Sequence, residues 1–448
     1  MMRNLYNNFI RGIGINLIEW IVYYILFIIH QIALFKSVDI SLFGQQGVLF
    51  ALLYTTIGLS TLGLDICLAP FFSYAQQSKK AWHAIITLQI LIQLVIMGIG
   101  ACIALRFYSA PHTLFLNILF VASSMVEGLR KLVKILLHLS FKHFLRISLE
   151  LGTLIIYITL VWVPHLVYKV PLSLYSLLLP FLAAAGMTCV ISTFFIYSYY
   201  RTLPSITIEL PHSLFYRIVL MRCNTSLYSI GHQIFSGNIL LPYIALHVGF
   251  ATAGIWAIIQ TITQMITNLM HKIGGFTSQA LLSQVKGESA IVKQQAFSTI
   301  TNILNQIIYA IIAVLGIAIY QGASLHTTYQ ITWLLPTIMY ISITIIEQWV
   351  LAYEKFYLNE ERSGMLVAIN AALIASSFFL IRSSLSITTF LAFLLSIRIV
   401  GFIVLMILSY RIWRIKPDWG INMRYFIMAF IGIMIIYFVV HYKLVYSL

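Results

Sequence analysis

Apolar runs of roughly 20 residues, the length needed to cross a hydrocarbon core about 30 Å thick, succeed one another along most of this chain. Spans fall near 14 to 35, 46 to 70, 82 to 105, 113 to 137, 148 to 168 and 172 to 199. A polar connector with Arg201, Pro204, Glu209 and Pro211 follows. Further spans lie near 218 to 247, 250 to 274, 296 to 320, 329 to 352, 364 to 381 and 387 to 410, and a thirteenth near 425 to 442. Only 9% of the 448 residues are charged, against about 25% in a soluble domain, so lipid is the principal solvent. The expected fold is all-α and polytopic: two six-helix transmembrane bundles around a central cavity, with an extra C-terminal helix. The expected divisions are 1–200, a cytoplasmic connector at 201–217, a second bundle at 218–410, and a basic segment with the extra helix at 411–448.

Orientation follows from the Lys and Arg residues, which are retained on the cytoplasmic side. With the N-terminus inside, 21 of the 27 fall on the cytoplasmic side. Lys36, Arg106, Lys169, Arg382 and Lys443 fall outside, and Arg398 lies within a span. A bacterial inner (cytoplasmic) membrane is the expected location. The net charge of +15 is spread over short loops and forms no arm, which argues against nucleic acid. The four cysteines sit in apolar segments without metal or redox spacing, so no cofactor is expected.

The two halves can be laid over one another. A shift of 207 places Gly47 on Gly254, Gln77 on Gln284 and Lys79 on Lys286, and a shift of 220 places Glu127 on Glu347. Internal repeats of this kind characterise transporters, and an even number of helices per half implies a parallel repeat.

The residues Phe43, Gly44 and Gly47 opening the second span, Gly63, Leu64 and Asp65 deep within it, and the run from Gly254 to Ala257 carry a family pattern. It resembles the polysaccharide-transporter branch of the multidrug/oligosaccharidyl-lipid/polysaccharide exporter superfamily, over roughly the first 410 residues. The resemblance implies a Wzx-type flippase for O-antigen or related lipopolysaccharide precursors. Such a protein carries an undecaprenyl-pyrophosphate-linked oligosaccharide to the periplasmic leaflet by alternating access. Polysaccharide polymerase and chain-length proteins are the implied partners. Relatives usually have twelve or fourteen helices, so a thirteenth is a departure.

Ionisable groups inside a membrane are costly and face a cavity or a partner. Arg11, Arg222, Lys272 and Arg398 are the expected substrate-binding cations, because a pyrophosphate crossing a low-dielectric layer needs positive charge and Arg contacts phosphate through two donors. Arg217 reads as a headgroup anchor. Glu19, Asp65, Glu127 and Glu347 are candidates for charge pairing or for coupling to a proton or sodium ion. Glu127 with Arg130, Lys131 and Lys134 reads as a local salt-bridged helix end. The polar seventh span, with Asn224, Ser226, Ser229, His232 and Asn238, should line water or sugar.

Competing readings are an ion-coupled multidrug exporter, a lipid II flippase, and a membrane glycosyltransferase or polymerase. An enzyme is disfavoured: Asp39 is the only acid clearly in an outer loop, with no second carboxylate beside it for acid/base chemistry.

Overall fold

A computed structural model describes residues 2–61, 64–106, 108, 113–140, 143–205, 212–235, 238–257, 260–261, 330–359, 364–371 and 386–413, with isolated positions at 291–292, 294–295, 297–298, 302, 375 and 431. Eleven helices are delimited among these residues: α1 Met2–Ser37, α2 Ile40–Thr61, α3 Leu64–Ala75, α4 Lys79–Leu105, α5 Leu114–Leu139, α6 His143–Tyr168, α7 Leu174–Arg201, α8 His212–Phe235, α9 Leu240–His247, α10 Gln330–Asn359 and α11 Ile387–Trp413. The stretches 250–257 and 364–371 are also helical, and no described residue lies in a strand.

The chain forms two compact units. The first comprises Ile18–Gln260, and the second Met1–Leu17 with Thr261–Leu448. In the first unit α5 packs most extensively on α7, and α4 bridges α2 and α5; in the second, α10 packs along α11.

Segments within α2, α4, α6, α7 and α11 are long and apolar enough to cross a membrane. α5 is of similar length, at 26 residues, but carries Glu127, Arg130, Lys131 and Lys134. These helices invert the soluble pattern. On α4, Leu91, Val95, Ile99 and Ile103 form an exposed stripe at four-residue spacing, while Gln89 and Gln93 are fully buried. In lipid the apolar face is the solvated one, and polar groups must turn inward to find partners.

Local sequence sets the helix ends. Ser78 caps α4, its hydroxyl accepting from the Ala81 N–H at 3.1 Å. Ser173 and Ser176 form a capping box that starts α7. The turn between α3 and α4 is pinned to the end of α7, where Lys79 N–H donates to the Pro204 carbonyl and Gln76 donates to the Tyr199 hydroxyl at 2.6 Å. Beneath it Leu68, Phe72, Trp82, Leu136 and Ile218 share one apolar cluster.

Two span boundaries differ from expectation. The second span is built from two helices, α2 and α3, and the seventh from α8 and α9. α8 starts at His212, inside the segment expected to be connector, because the polar residues following Pro211 can be helical even where they are too hydrophilic to lie in lipid. The last expected span, 425 to 442, lies outside the described residues.

α2 approaches the 250–257 helix backbone to backbone. A Cβ built on Gly44 would stand 1.8 Å from the Phe250 carbonyl oxygen, and one on Gly254 would stand 2.6 Å from that of Ile40. Only glycine allows this approach.

Candidate functional site

The first unit holds a buried charge network at the end where α5 finishes and α6 begins. Arg130 forks onto Glu127, with Nε and Nη2 each donating at 2.7 Å to one carboxylate oxygen. Its Nη1 reaches across to Glu150 at 3.2 Å and to the Thr153 hydroxyl at 3.3 Å, both on α6. Lys131 stands 3.6 Å from both carboxylates, and Lys134 pairs with Glu150. Thr153 in turn donates to Thr188 of α7 at 3.1 Å. Three cations therefore share two carboxylates, and two of them, Lys131 and Lys134, remain partly accessible, at 30% and 21%.

This corrects the reading of the Glu127 group as a local helix-end motif. Arg130 and Lys131 do bridge to Glu127 at one-turn spacing, but Lys134 turns to α6, because Glu150 supplies a second carboxylate within reach. The network ties three helices together.

Glu19 lies beside it in the fold, with its carboxylate 3.1 Å from Nη2 of Arg146 on α6, and both side chains are buried. Arg222 of α8 is fully buried and donates through Nη2 to the Gln93 amide oxygen at 2.8 Å. Gln93 also donates weakly to the Gly128 carbonyl, so α8, α4 and α5 meet through one amide. Arg217 is exposed, in keeping with an anchoring position.

In the second unit Arg398 of α11 is buried against α10, with Nε 2.5 Å from Glu347 and Nη2 3.6 Å from Glu354. Asn370 completes the group, accepting from Arg398 at 3.4 Å and donating to Glu354 at 3.4 Å. Among the described residues, Arg398 faces the two carboxylates of Glu347 and Glu354.

The displacement of 220 residues that carries Glu127 onto Glu347 also carries Lys134 onto Glu354 and Glu150 onto Asn370. The Lys134–Glu150 contact thus recurs at the matching place as Glu354–Asn370, with the charges changed.

Of the expected site residues, Arg222, Arg398, Glu19, Glu127 and Glu347 are all buried in polar contacts. Lys272 lies outside the described residues, and Arg11 and Asp65 sit in α1 and α3 with side chains outside the description. Sequence reasoning missed the parts played by Gln93, Arg146, Glu354 and Asn370. Glu354 follows Glu347 by seven residues, a spacing that returns to the same helix face and could have flagged it.

No family profile matches the sequence, and no curated protein sequence matches it. Solved structures do resemble it. The Vibrio cholerae MATE transporter VcmN superposes with a TM-score of 0.65 at 12% identity, covering 91% of this chain and 97% of that one. A multidrug resistance MATE family transporter of the MOP superfamily, in its outward-facing conformation, gives 0.63 at 11% identity, covering 91% and 95%. A MOP superfamily transporter from Pyrococcus furiosus, described by the reverse polarity of its binding pocket, gives 0.62 at 11% identity, covering 90% and 94%. This chain has the all-helical membrane fold of the MATE transporters of the MOP superfamily.

Proposed function

We propose that the protein is a flippase, moving an anionic lipid-linked oligosaccharide, of the undecaprenyl-pyrophosphate type, from the cytoplasmic to the periplasmic leaflet of a bacterial inner membrane by alternating access. The observation that carries this reading is the cationic surplus of the first unit, where Arg130, Lys131 and Lys134 share only Glu127 and Glu150. Partly accessible positive charge in excess, among the described residues, of its counterions suits a phosphate-bearing cargo. A cavity for cationic drugs would be expected to show the opposite balance.

In this reading Arg222 and, outside the described residues, Lys272 contribute to the cargo path, with Arg11 at its entrance. Arg398, expected from the sequence as a substrate-binding cation, is instead proposed to hold Glu347 and Glu354 in place, because both carboxylates lie within 3.6 Å of its guanidinium, and that acidic group is the proposed site of proton or sodium coupling. Glu19 and Glu127 act in charge pairing. Two six-helix halves joined at 201–217, an inside N-terminus, and polymerase and chain-length partners belong to the same proposal.

A multidrug exporter is the second reading, favoured by the two buried carboxylates, Glu347 and Glu354, beside Arg398. Complementation of a flippase-null strain separates the two, comparing wild type with Arg222→Ala, Arg398→Ala and Lys131→Gln/Lys134→Gln at matched expression. Surface glycan restored by wild type and lost in the lysine and Arg222 variants is the expected result. No restoration across several glycan backgrounds, together with raised resistance to cationic dyes, would overturn the flippase reading.

A further inference from the structure

Residues of α6, α7 and the turn between them line a cavity of about 320 Å³ within the first unit. Its lining includes Leu160, Pro164, Val170, Ser176, Pro180 and Ala183. Each helix carries its internal proline there. A proline has no N–H for the carbonyl four residues earlier and pushes that carbonyl away. The residues so affected are Leu160 for Pro164 and Ser176 for Pro180, and both line the cavity. Bordering the cavity, the carbonyls of Leu160 and Ser176 thus lack the usual helical N–H donor four residues on.

The surroundings are lipid-facing. Val163, Leu166, Val167 and Leu179 are between 46% and 64% exposed. A ligand reaching this cavity arrives from the bilayer, and the volume accommodates about ten methylene groups if each occupies about the ~30 Å³ of a water molecule.

An exposed lysine adjoins the lining in sequence. Lys169 directly precedes the lining residue Val170 and adopts a left-handed backbone, with φ at 55°. The reversal is held by Val170 N–H donating to the Pro164 carbonyl at 3.2 Å and by His165 Nδ1 at 2.9 Å from the Val170 carbonyl. The backbone of Lys169 is thus held next to the residue Val170 that lines the slot.

We infer that this slot is a phospholipid site, seating one acyl chain of an anionic phospholipid with its phosphate against Lys169. Charge selects the headgroup, because an ammonium at the interface attracts anionic lipid over zwitterionic lipid. The occupant is structural lipid, and the site is separate from the charge networks assigned to transport.

The test uses full-length protein in nanodiscs of phosphatidylcholine doped with phosphatidylglycerol bearing an acyl diazirine, or with matched diazirine phosphatidylcholine. After irradiation, adducts are mapped by peptide mass spectrometry. Phosphatidylglycerol adducts concentrated in residues 160–183, reduced about fivefold or more by Lys169→Glu, are expected, one interfacial lysine being worth about that factor. The phosphatidylcholine adducts should change little with that exposed-loop variant. Ala183→Trp, which fills the slot, should lower both. Labelling spread evenly onto the α4 stripe of Leu91, Val95 and Ile99, equal labelling by the two lipids, or replacement of lipid adducts by crosslinks to a second copy of the chain would each overturn the inference. None of these readouts depends on transport, so failure here and failure of the flippase reading remain distinguishable.

Discussion

Replacing Arg130 with Gln tests whether the first-unit network acts as a unit. The wild-type guanidinium makes two 2.7 Å contacts to Glu127, one at 3.2 Å to Glu150 and one at 3.3 Å to Thr153. Gln keeps much of the length and none of the charge. Glu127, 2% accessible, would then have Lys131 at 3.6 Å as its nearest cation, while Glu150 keeps Lys134. Removing one partner of a buried pair costs about 3 to 5 kcal/mol, and the two lysines should hold the loss near the lower figure. Glu127→Gln alone should cost about 2 kcal/mol, because it leaves the arginine fork half-filled. The double variant removes both charges together, so its loss should fall about 2 kcal/mol short of the sum of the two singles. Reversible unfolding in mixed detergent–SDS micelles, followed by tryptophan fluorescence, measures all four corners of the cycle. A coupling below about 0.5 kcal/mol would refute the network, since independent sites add to within that margin.

Gly44→Ala and Gly128→Ala place a Cβ at the same nominal distance, 1.8 Å, from a neighbouring atom, but the first meets the Phe250 backbone carbonyl and the second the Met97 sulfur. Overpacking should cost about 3 kcal/mol or more at Gly44 and under about 1 kcal/mol at Gly128, where the thioether can rotate; thermal shift by fluorescence-detected size exclusion separates them. Ser78→Ala removes the α4 cap and should cost about 1 kcal/mol in the same micelle assay. Glu347→Gln should destabilise about twice as much as Glu354→Gln, because Arg398 holds the first at 2.5 Å and the second at 3.6 Å; equal losses would contradict this.

The apolar spans were legible because lipid demands a long run of one residue class, and α4, α6, α7 and α11 fall close to where hydropathy puts them. The buried charges were also visible, since an ionisable residue stands out in such a run, and Glu127 and Glu347 could be matched across the halves. Their partners could not be read the same way. Arg146 meets Glu19 across 127 residues and Gln93 meets Arg222 across 129, and neither pairing leaves a local pattern. Lys134 shows the limit most plainly: helical spacing puts it on the same face as Glu127, two turns on, yet the next helix in the chain offers Glu150. The breaks within the second and seventh spans were hidden for the opposite reason, because hydropathy stays high through α2 and α3 and does not report where a helix stops.

The Gly44–Gly254 approach joins positions 210 residues apart in the chain. At synthesis rates of about 5 to 20 residues per second, Gly254 leaves the ribosome roughly 10 to 40 seconds after Gly44. Through that interval α2 must reside in the bilayer without the neighbour against which its glycine face closes. The first unit therefore finishes packing after most of its own helices have been inserted, and only once the 250–257 helix has arrived.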